Sequence, residues 1–564
     1  MINLSGVKRI SLDSETTGLD RHGSDRAIGI SVASEKGDAY YAFGHMSGNT
    51  HDKSQVKRWA KCELRGKEVC FINPSFDLHM LKKEGIDLEA LGAIPRGVQY
   101  QCALINEKRG DYSLDGMAKD FLKQSKLDKP CKPGDIWKTP GTIVSPYATR
   151  DARLTLDLDT HFAPILLKQG LERVAALEDS IIYAVLHMEL QGTILDLPKL
   201  ARWDVEVTQE IRRREAALKG LNVRSGPQKK SAFRSMGFDD FIYTEKGNAC
   251  FDNNAIKRYR NASESKKLKV LCDDILALSA VRTIKTNYTS KYLEAQRDGI
   301  LRYNLHQCRT GDTGTVSGRF SSSGVNIQQV PAESKQDPAT LRWIIRELFL
   351  PAHGATWLTA DASQIEFRLF GHYANAQKII DAYTTNPKAD FHTLVAEMIQ
   401  LVRDSAKTVN FGMVYGMGQA KLKNDLQMDD IQANAFFTKY HGEFPEAREL
   451  MQKCMRVARE RGYVKTLLGR RRRFEDRKNL HAALNSVLQG SAADIMKEKL
   501  RVLYREMKHL DFNLRFTVHD EVDGDLHNPD RARDIQALLN EQSFPLRVPI
   551  LWKTGVGKNW REAK

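Results

Sequence analysis

A chain of 564 residues with 41% hydrophobic and 28% charged side chains has the apolar mass for about three or four globular domains, which excludes an extended disordered scaffold. Its net charge of +15 favours polyanionic partners, with nucleic acid first among them. The eight cysteines are scattered with no C-x-x-C pair, no apolar run would span a bilayer, and the N-terminus is unlike a signal peptide; these features exclude a disulfide framework, a zinc site and a membrane partner, and predict a cytoplasmic protein of a bacterial or host cell.

Residues 1–167 mix short β-like runs with helices. Ile10-Ser11-Leu12, residues 28–32 and residues 40–43 read as strands. Asp13 and Glu15 follow the first run, and on a strand residues i and i+2 share a side, so the two carboxylates converge. Crowded carboxylates repel, and a fold tolerates them mainly around a cation. D-x-E alone is common, and a solvated turn would explain it as well. Two later segments extend the pattern. Asn73-Pro74-Ser75-Phe76-Asp77 follows an apolar run, and Tyr147-Ala148-Thr149-Arg150-Asp151 places Tyr147 and Asp151 on one helical face.

At residues 168–303 the composition shifts to basic helices. Val174, Leu177, Ile181, Val185 and Met188 recur at helical spacing and predict one amphipathic helix. Arg212-Arg213-Arg214, Lys229-Lys230, Lys257-Arg258 and Lys266-Lys267 follow. Such clusters are ordinarily solvated faces; the neighbouring motifs favour phosphate contact here.

Residues 304–564 alternate strands with long helices, as one large α/β unit. A strand-like run ends on Asp361, with a helix after it. Far downstream Leu514, Phe516 and Val518 alternate before His519-Asp520-Glu521 interrupts them, which predicts a hairpin with Asp520 at its tip. If these strands pair, Asp361 and Asp520 meet across a sheet, as a nucleotidyl-transfer centre needs. Between them Arg403, Lys407, Phe411 and Tyr415 recur every four residues. Two cations and then two aromatics on a helical face suit a triphosphate and a base. The same spacing equally fits a helix with a solvated basic end and a buried aromatic end.

Taken together, the segments holding Asp13, Glu15, Asp77, Tyr147 and Asp151 resemble the D-E-D-D type of proofreading exonuclease domain with a tyrosine. D-x-S-Q-I-E-x-R at 361–368, R-x-x-x-K-x-x-x-F-G-x-x-Y-G at 403–416 and V-H-D-E at 518–521 resemble motifs A, B and C of family A DNA polymerases, the family of bacterial DNA polymerase I. Gly318-Arg319-Phe320-Ser321-Ser322 with Asn326 and Gln328, then Asn485 with Gln489, and Gly555-Val556-Gly557-Lys558-Asn559-Trp560 match further segments in the same order.

The resemblance implies an α/β multidomain fold. An RNase H-like exonuclease domain at 1–167 would precede a right-hand polymerase, with a thumb at 168–303 and palm and fingers at 304–564, the fingers at about 372–480. It implies template-directed addition of dNTPs to a primer 3′ end, with 3′→5′ proofreading. Two Mg²⁺ ions would sit on Asp361 and Asp520 beside Glu521, and two on Asp13, Glu15, Asp77 and Asp151, with Mn²⁺ as a substitute. Tyr147 would orient the attacking water. Arg403, Lys407 and His392 are expected on the triphosphate, and Phe411, Tyr415 and Gln364 around the nucleotide. Glu366 would be the steric gate against a ribose hydroxyl. Arg319, Asn326, Gln328, Arg368, Asn485, Gln489 and His519 are expected on primer–template DNA.

Some features depart from the family pattern. No 5′ nuclease is expected, Ala362 replaces a usual tyrosine, Gln329 replaces a usual asparagine, and the interval between motifs A and B is short. The compact form resembles viral members. A single-subunit RNA polymerase is opposed by Glu366 and the exonuclease segments. An exonuclease on a non-catalytic DNA-binding platform is opposed by the intact Asp361, Asp520, Arg403 and Lys407. A processivity factor, helicase or single-strand-binding protein is not readable.

Overall fold

A computed structural model describes residues 1–564 except 133, 219, 312, 388, 390–392, 394–411, 413–421 and 424–428. His392, Arg403, Lys407, Phe411 and Tyr415 therefore lie outside the described residues.

The N-terminal part is built on a five-stranded sheet in which Gly37–Ala42, Ala27–Ser34, Arg9–Thr16, Glu68–Phe71 and Ile94–Gly97 lie side by side in that order. The central strand runs antiparallel to Ala27–Ser34 and parallel to Glu68–Phe71. It runs on through Asp13-Ser14-Glu15, so both carboxylates sit within the strand and not in a turn after it. Glu15 faces Gly29 across the ladder, where a Cβ would come within 2.0 Å of the Tyr40 hydroxyl. Glycine there lets Tyr40 lie under the carboxylates. The Gly141–Gln169 helix packs against this sheet and stops at Gly170, whose φ of +67° is the left-handed C-terminal cap that glycine adopts without strain.

The stretch expected to form one amphipathic helix forms two, Glu172–Ser180 and Ile182–Gln191, broken at Ile181 with φ −101° and ψ 2°. All five apolar residues of the pattern are buried. The periodicity therefore reports the buried face, which the break does not interrupt.

The basic helices that follow do not share one core. Phe233, Phe238, Phe241, Tyr259 and Leu271 form a small separate core at the far end of Leu197–Ala217 and Lys266–Ile284. At the near end Trp203, Val207, Val281 and Ile284 join the large core of the C-terminal part.

That large core surrounds a second sheet, wholly antiparallel, in the order Phe512–Val518, Glu521–Leu526, Thr356–Ala362, Trp552–Gly557. Trp357, Phe349, Phe516 and Trp560 pack ring against ring beside it. Among the described residues no helix is long and apolar enough to cross a membrane.

A buried ion network joins the two parts. Fully buried Glu178 receives Arg470 Nη2 and Lys497 Nζ, each at 2.6 Å, and Arg470 reaches Asp494 at 2.9 Å. These residues come from Glu172–Ser180, the loop before Arg471–Arg473, and the long helix Ala483–Glu506. Removing one partner strands buried charge, so Arg470→Met should lower the unfolding free energy by about 3–5 kcal/mol in urea denaturation. Arg260, whose ion pair with Asp273 is open to solvent, should leave the transition in place when changed to Met.

Candidate active sites

The first site lies where the central strand of the five-stranded sheet meets the Gly141–Gln169 helix. Carboxylate oxygens of Asp13, Glu15 and Asp151 all lie within 4.8 Å of one another. Asp77 comes from the first turn of Pro74–Lys83, with Pro74 opening that helix. Asp77 Oδ1 accepts from the Ser14 amide at 3.0 Å and from the Ser14 hydroxyl at 2.6 Å, which fixes it beside the strand. Burial, and then the charge of Asp77, holds Asp13 well above the usual carboxylate range. Burial, and then the charge of Asp151, pushes Glu15 up to about 7, and burial pushes Asp77 up to about 6. Asp151 Oδ1 is buried with no hydrogen-bond partner among the described residues. An all-oxygen cluster with an unsatisfied buried carboxylate oxygen and raised pKa values has the chemistry of a divalent-cation site.

Sequence reading missed Lys126. Its Nζ lies 2.5 Å from Asp151 Oδ2 and 5.0 Å from the centre of the Tyr147 ring. A lysine in a polar stretch carries no signal that it will fold back onto a carboxylate cluster.

The second site lies at one end of the four-stranded sheet. Asp361 stands opposite Glu521 in the antiparallel register, and the Ala362 amide donates to the Asp520 carbonyl at 2.9 Å. The hairpin turn at His519-Asp520 thus meets the end of Thr356–Ala362, as the alternation in the sequence predicts. His519 takes φ +55° in that turn. A cleft of about 720 Å³ opens here, lined by Arg319, Asp361, Glu366, His519, Asp520 and Lys564.

Cations already accompany these carboxylates. Lys564 Nζ donates to Asp361 Oδ2 at 2.6 Å and to Glu521 Oε2. The final segment reaches back because Gly555 lets it cross the edge strand; a Cβ there would come within 1.9 Å of the Ala563 carbonyl. Arg319 bridges Glu366 and Asp520, at 3.3 Å from Asp520 Oδ1. Burial raises Asp361 and Glu366 above the ordinary range, opposed by Lys564 and Arg319 respectively. Glu521 is buried with both oxygens engaged. Trp560 Nε1 at 2.6 Å and Arg346 Nη1 at 3.2 Å hold Oε1, and Lys564 holds Oε2. Glu521 therefore braces the site from behind Asp361. Sequence reading missed Lys564 and Arg346.

The expected DNA contacts fall into different places. Arg368 turns its guanidinium inward. It donates to the carbonyls of Ser363 at 2.8 Å, Pro549 at 2.7 Å and Pro387 at 2.6 Å, and stacks 4.1 Å over Tyr383. Its position on the helix Ile365–Ala374, three residues after Ile365 and beside Leu369 on the buried face, was the available signal. Gln328 is also buried; it donates to the Thr517 carbonyl at 2.5 Å and accepts from the His519 amide at 3.3 Å, bracing the hairpin. Gln364 accepts from the Tyr383 hydroxyl at 2.5 Å, and Asn326 Oδ1 accepts from Ser322 at 3.1 Å. Asn485 and Gln489 are half-buried near the start of Ala483–Glu506, and His519 is exposed.

Comparison with known proteins gives the family and the fold. Residues 199–562 match DNA polymerase family A, and residues 2–167 match 3′-5′ exonuclease. DNA polymerase DpoZ of Salmonella phage PMBT28 is 28% identical over 99% of this chain and 98% of its own length. Thermostable DNA polymerase I of Thermus filiformis is 31% identical over 74% of this chain and 51% of its own length. The fold matches the POL domain of Pol1 from M. smegmatis, solved in complex with DNA primer-template and dNTP. The TM-score is 0.85 with 21% identity, covering 99% of this chain and 97% of that one.

The raised carboxylates make metal-free stability depend on pH. Glu15 at about 7 and Asp77 at about 6 stand above their ordinary 4.5 and 3.8, so the folded state holds protons that the unfolded chain releases. That contribution is complete below the ordinary values and is lost as pH rises through about 6 to 7. Thermal melts in a chelator should show a lower midpoint at about pH 7.5 than at about pH 5.5, with Mg²⁺ raising it more at the higher pH. Asp13→Ala/Glu15→Ala should flatten both differences; equal differences in wild type and variant would contradict the assignment.

Proposed function

This chain belongs to DNA polymerase family A and carries a 3′→5′ exonuclease domain, and on that premise we propose how its residues divide the work. The enzyme is a DNA-directed DNA polymerase with proofreading exonuclease activity. Its substrates in this reading are primer–template DNA and dNTPs, and a cytoplasmic setting suits them. Residues 1–167 serve as the exonuclease, 168–303 as the thumb, and 304–564 as palm and fingers.

In synthesis the primer 3′-hydroxyl attacks the α-phosphate of a dNTP and pyrophosphate leaves. Asp361 and Asp520 are the residues that would hold two Mg²⁺ ions, and Asp13, Glu15, Asp77 and Asp151 two more; Mn²⁺ would serve in their place. When bound, such ions stabilise the attacking and leaving oxygens of an in-line displacement. The observation that carries this reading is the pairing of Thr356–Ala362 with Glu521–Leu526, which brings the aspartates of two distant segments to one cleft.

Glu366 faces that cleft, held by Arg319, and is assigned to the space that a ribose 2′-hydroxyl would need. On DNA, Arg319 would turn to a minor-groove acceptor, which all correct base pairs offer alike. Gln489, Asn485, Asn326 and His519 are assigned to primer–template contact, and Gln328 to supporting His519. Gln364 is assigned to the edge of the nucleotide pocket. Arg403, Lys407, His392, Phe411 and Tyr415 are assigned to the triphosphate and the base from their sequence pattern alone. In proofreading, Tyr147 orients the water that attacks the terminal phosphodiester.

Two substitutions separate the centres. Asp520→Asn should lower primer extension more than about a hundredfold while single-strand digestion continues. Asp13→Ala should do the reverse and raise the misincorporation frequency in a fidelity assay; equal loss of both activities in either variant would refute separate centres. Glu366→Ala should relax discrimination against ribonucleotides by at least about tenfold in single-nucleotide insertion.

A further inference from the structure

The segment between the helix Leu114–Met117 and the Gly141–Gln169 helix carries Lys123, Lys126, Lys129 and Lys132, and three of them point to solvent as lysines on a loop ordinarily do. Lys126 does not. Its backbone is stapled: its amide donates to Asp115 Oδ1 at 3.1 Å, and Arg150 donates to the adjoining Ser125 carbonyl at 3.2 Å. Arg150 belongs to the same helix as Tyr147 and Asp151, so the loop is tied to the element that presents them. The Lys126 ammonium then lies between a carboxylate and an aromatic face, 2.5 Å from Asp151 Oδ2 and 5.0 Å from the centre of the Tyr147 ring.

Each contact has a cause and a consequence. Charge-assisted contact fixes one Asp151 oxygen and leaves the other, Oδ1, turned elsewhere and without a hydrogen-bond partner. The ring quadrupole of Tyr147 attracts the same ammonium, which restrains the ring. Tyr147 sits one helical turn from Asp151, half-exposed on its helix, with no other cation over its ring among the described residues. Lys126 thus adds an electrostatic restraint to a ring that also packs beside Val144 and Ala148, and with the ring it fixes the hydroxyl.

We infer that Lys126 is a positioning residue of the exonuclease centre, which acts by fixing the Tyr147 ring against the Asp151 carboxylate. The inference rests on the reading of Asp13, Glu15, Asp77, Tyr147 and Asp151 as that centre. Hydrolysis needs the water-orienting hydroxyl in register with the scissile phosphodiester, and small misplacements of such groups cost large factors in rate.

The test uses the full chain with Mg²⁺ and a single-stranded oligodeoxynucleotide. Lys126→Met should lower kcat for digestion by about 10–100-fold with KM changed less than about threefold. Primer extension should stay at the wild-type rate, which shows that the chain is folded. Lys126→Arg, which keeps the cation, should recover digestion to within about threefold of wild type. In a Tyr147→Phe background, Lys126→Met should cost less than about threefold, because the group it positions is already gone. Mn²⁺ binding, followed by electron paramagnetic resonance with Asp13→Ala as the blank, should change less than about threefold.

Full digestion by Lys126→Met while Asp151→Ala has lost it would overturn the inference and spare the centre. An Arg variant as impaired as the Met variant, an undiminished cost in the Phe background, or a loss of Mn²⁺ affinity as large as the loss of rate would each overturn it as well. Full digestion by Asp151→Ala would instead overturn the reading of the centre itself.

Discussion

Burial of crowded carboxylates governs both sites. Asp13, Glu15 and Asp151 share a space too small for three bare anions, and burial drives Glu15 and Asp13 toward protonation. At the second site burial raises Asp361 and Glu366, while the Lys564 and Arg346 charges hold Glu521 below the ordinary range against its burial. A fold can hold such groups together only where rigid backbone opposes the repulsion and positive charge offsets it. Here the rigid parts are the strands Arg9–Thr16 and Glu521–Leu526, each with a hydrogen-bonded neighbour strand on both sides. The positive charge comes from Lys126 and Lys129 at one site and from Lys564, Arg319 and Arg346 at the other.

The two sites are also mechanically joined. Arg21 reaches from the first sheet's loop to Glu189 at 3.1 Å, Ser75 at 2.8 Å and Asn304 at 2.8 Å, and Ser75 stands two residues before Asp77. The buried Glu178 network ties the next helix to the long helix behind the second site. Both junctions bury charge, which stays favourable only while every partner is in place. The exonuclease residues are therefore held against the polymerase part by interactions that tolerate little displacement.

The separate small core around Phe233 and Tyr259 has a different character. Its aromatic cluster supports the far end of two long basic helices, away from either carboxylate site. Basic surface on such an extension suits sequence-independent contact with phosphates. The composition shift near residue 168 marks the change in surface charge there, whereas the cores divide the same stretch between its two ends.

What could be read from the amino-acid order was whatever depends on local periodicity. The i, i+2 spacing of Asp13 and Glu15 and the four-residue spacing of Tyr147 and Asp151 each fix side-chain direction within one element, and the alternation before Asp520 marked the hairpin, although its strand is bulged between Leu514 and Phe516. The inward turn of Arg368 was legible too, from its place on a buried helical face, but the motif drew attention to charge instead of to phase. Lys126, Lys564 and Arg346 were not legible. A lysine or arginine side chain has no preferred partner until distant segments pack, and an exposed cation and a cation against a carboxylate cluster have the same sequence signature. Only the folding of the loop onto the Gly141–Gln169 helix, and of the final segment across Gly555, decided which cations sit among the acids, because that choice is made by through-space electrostatics between elements far apart in the chain.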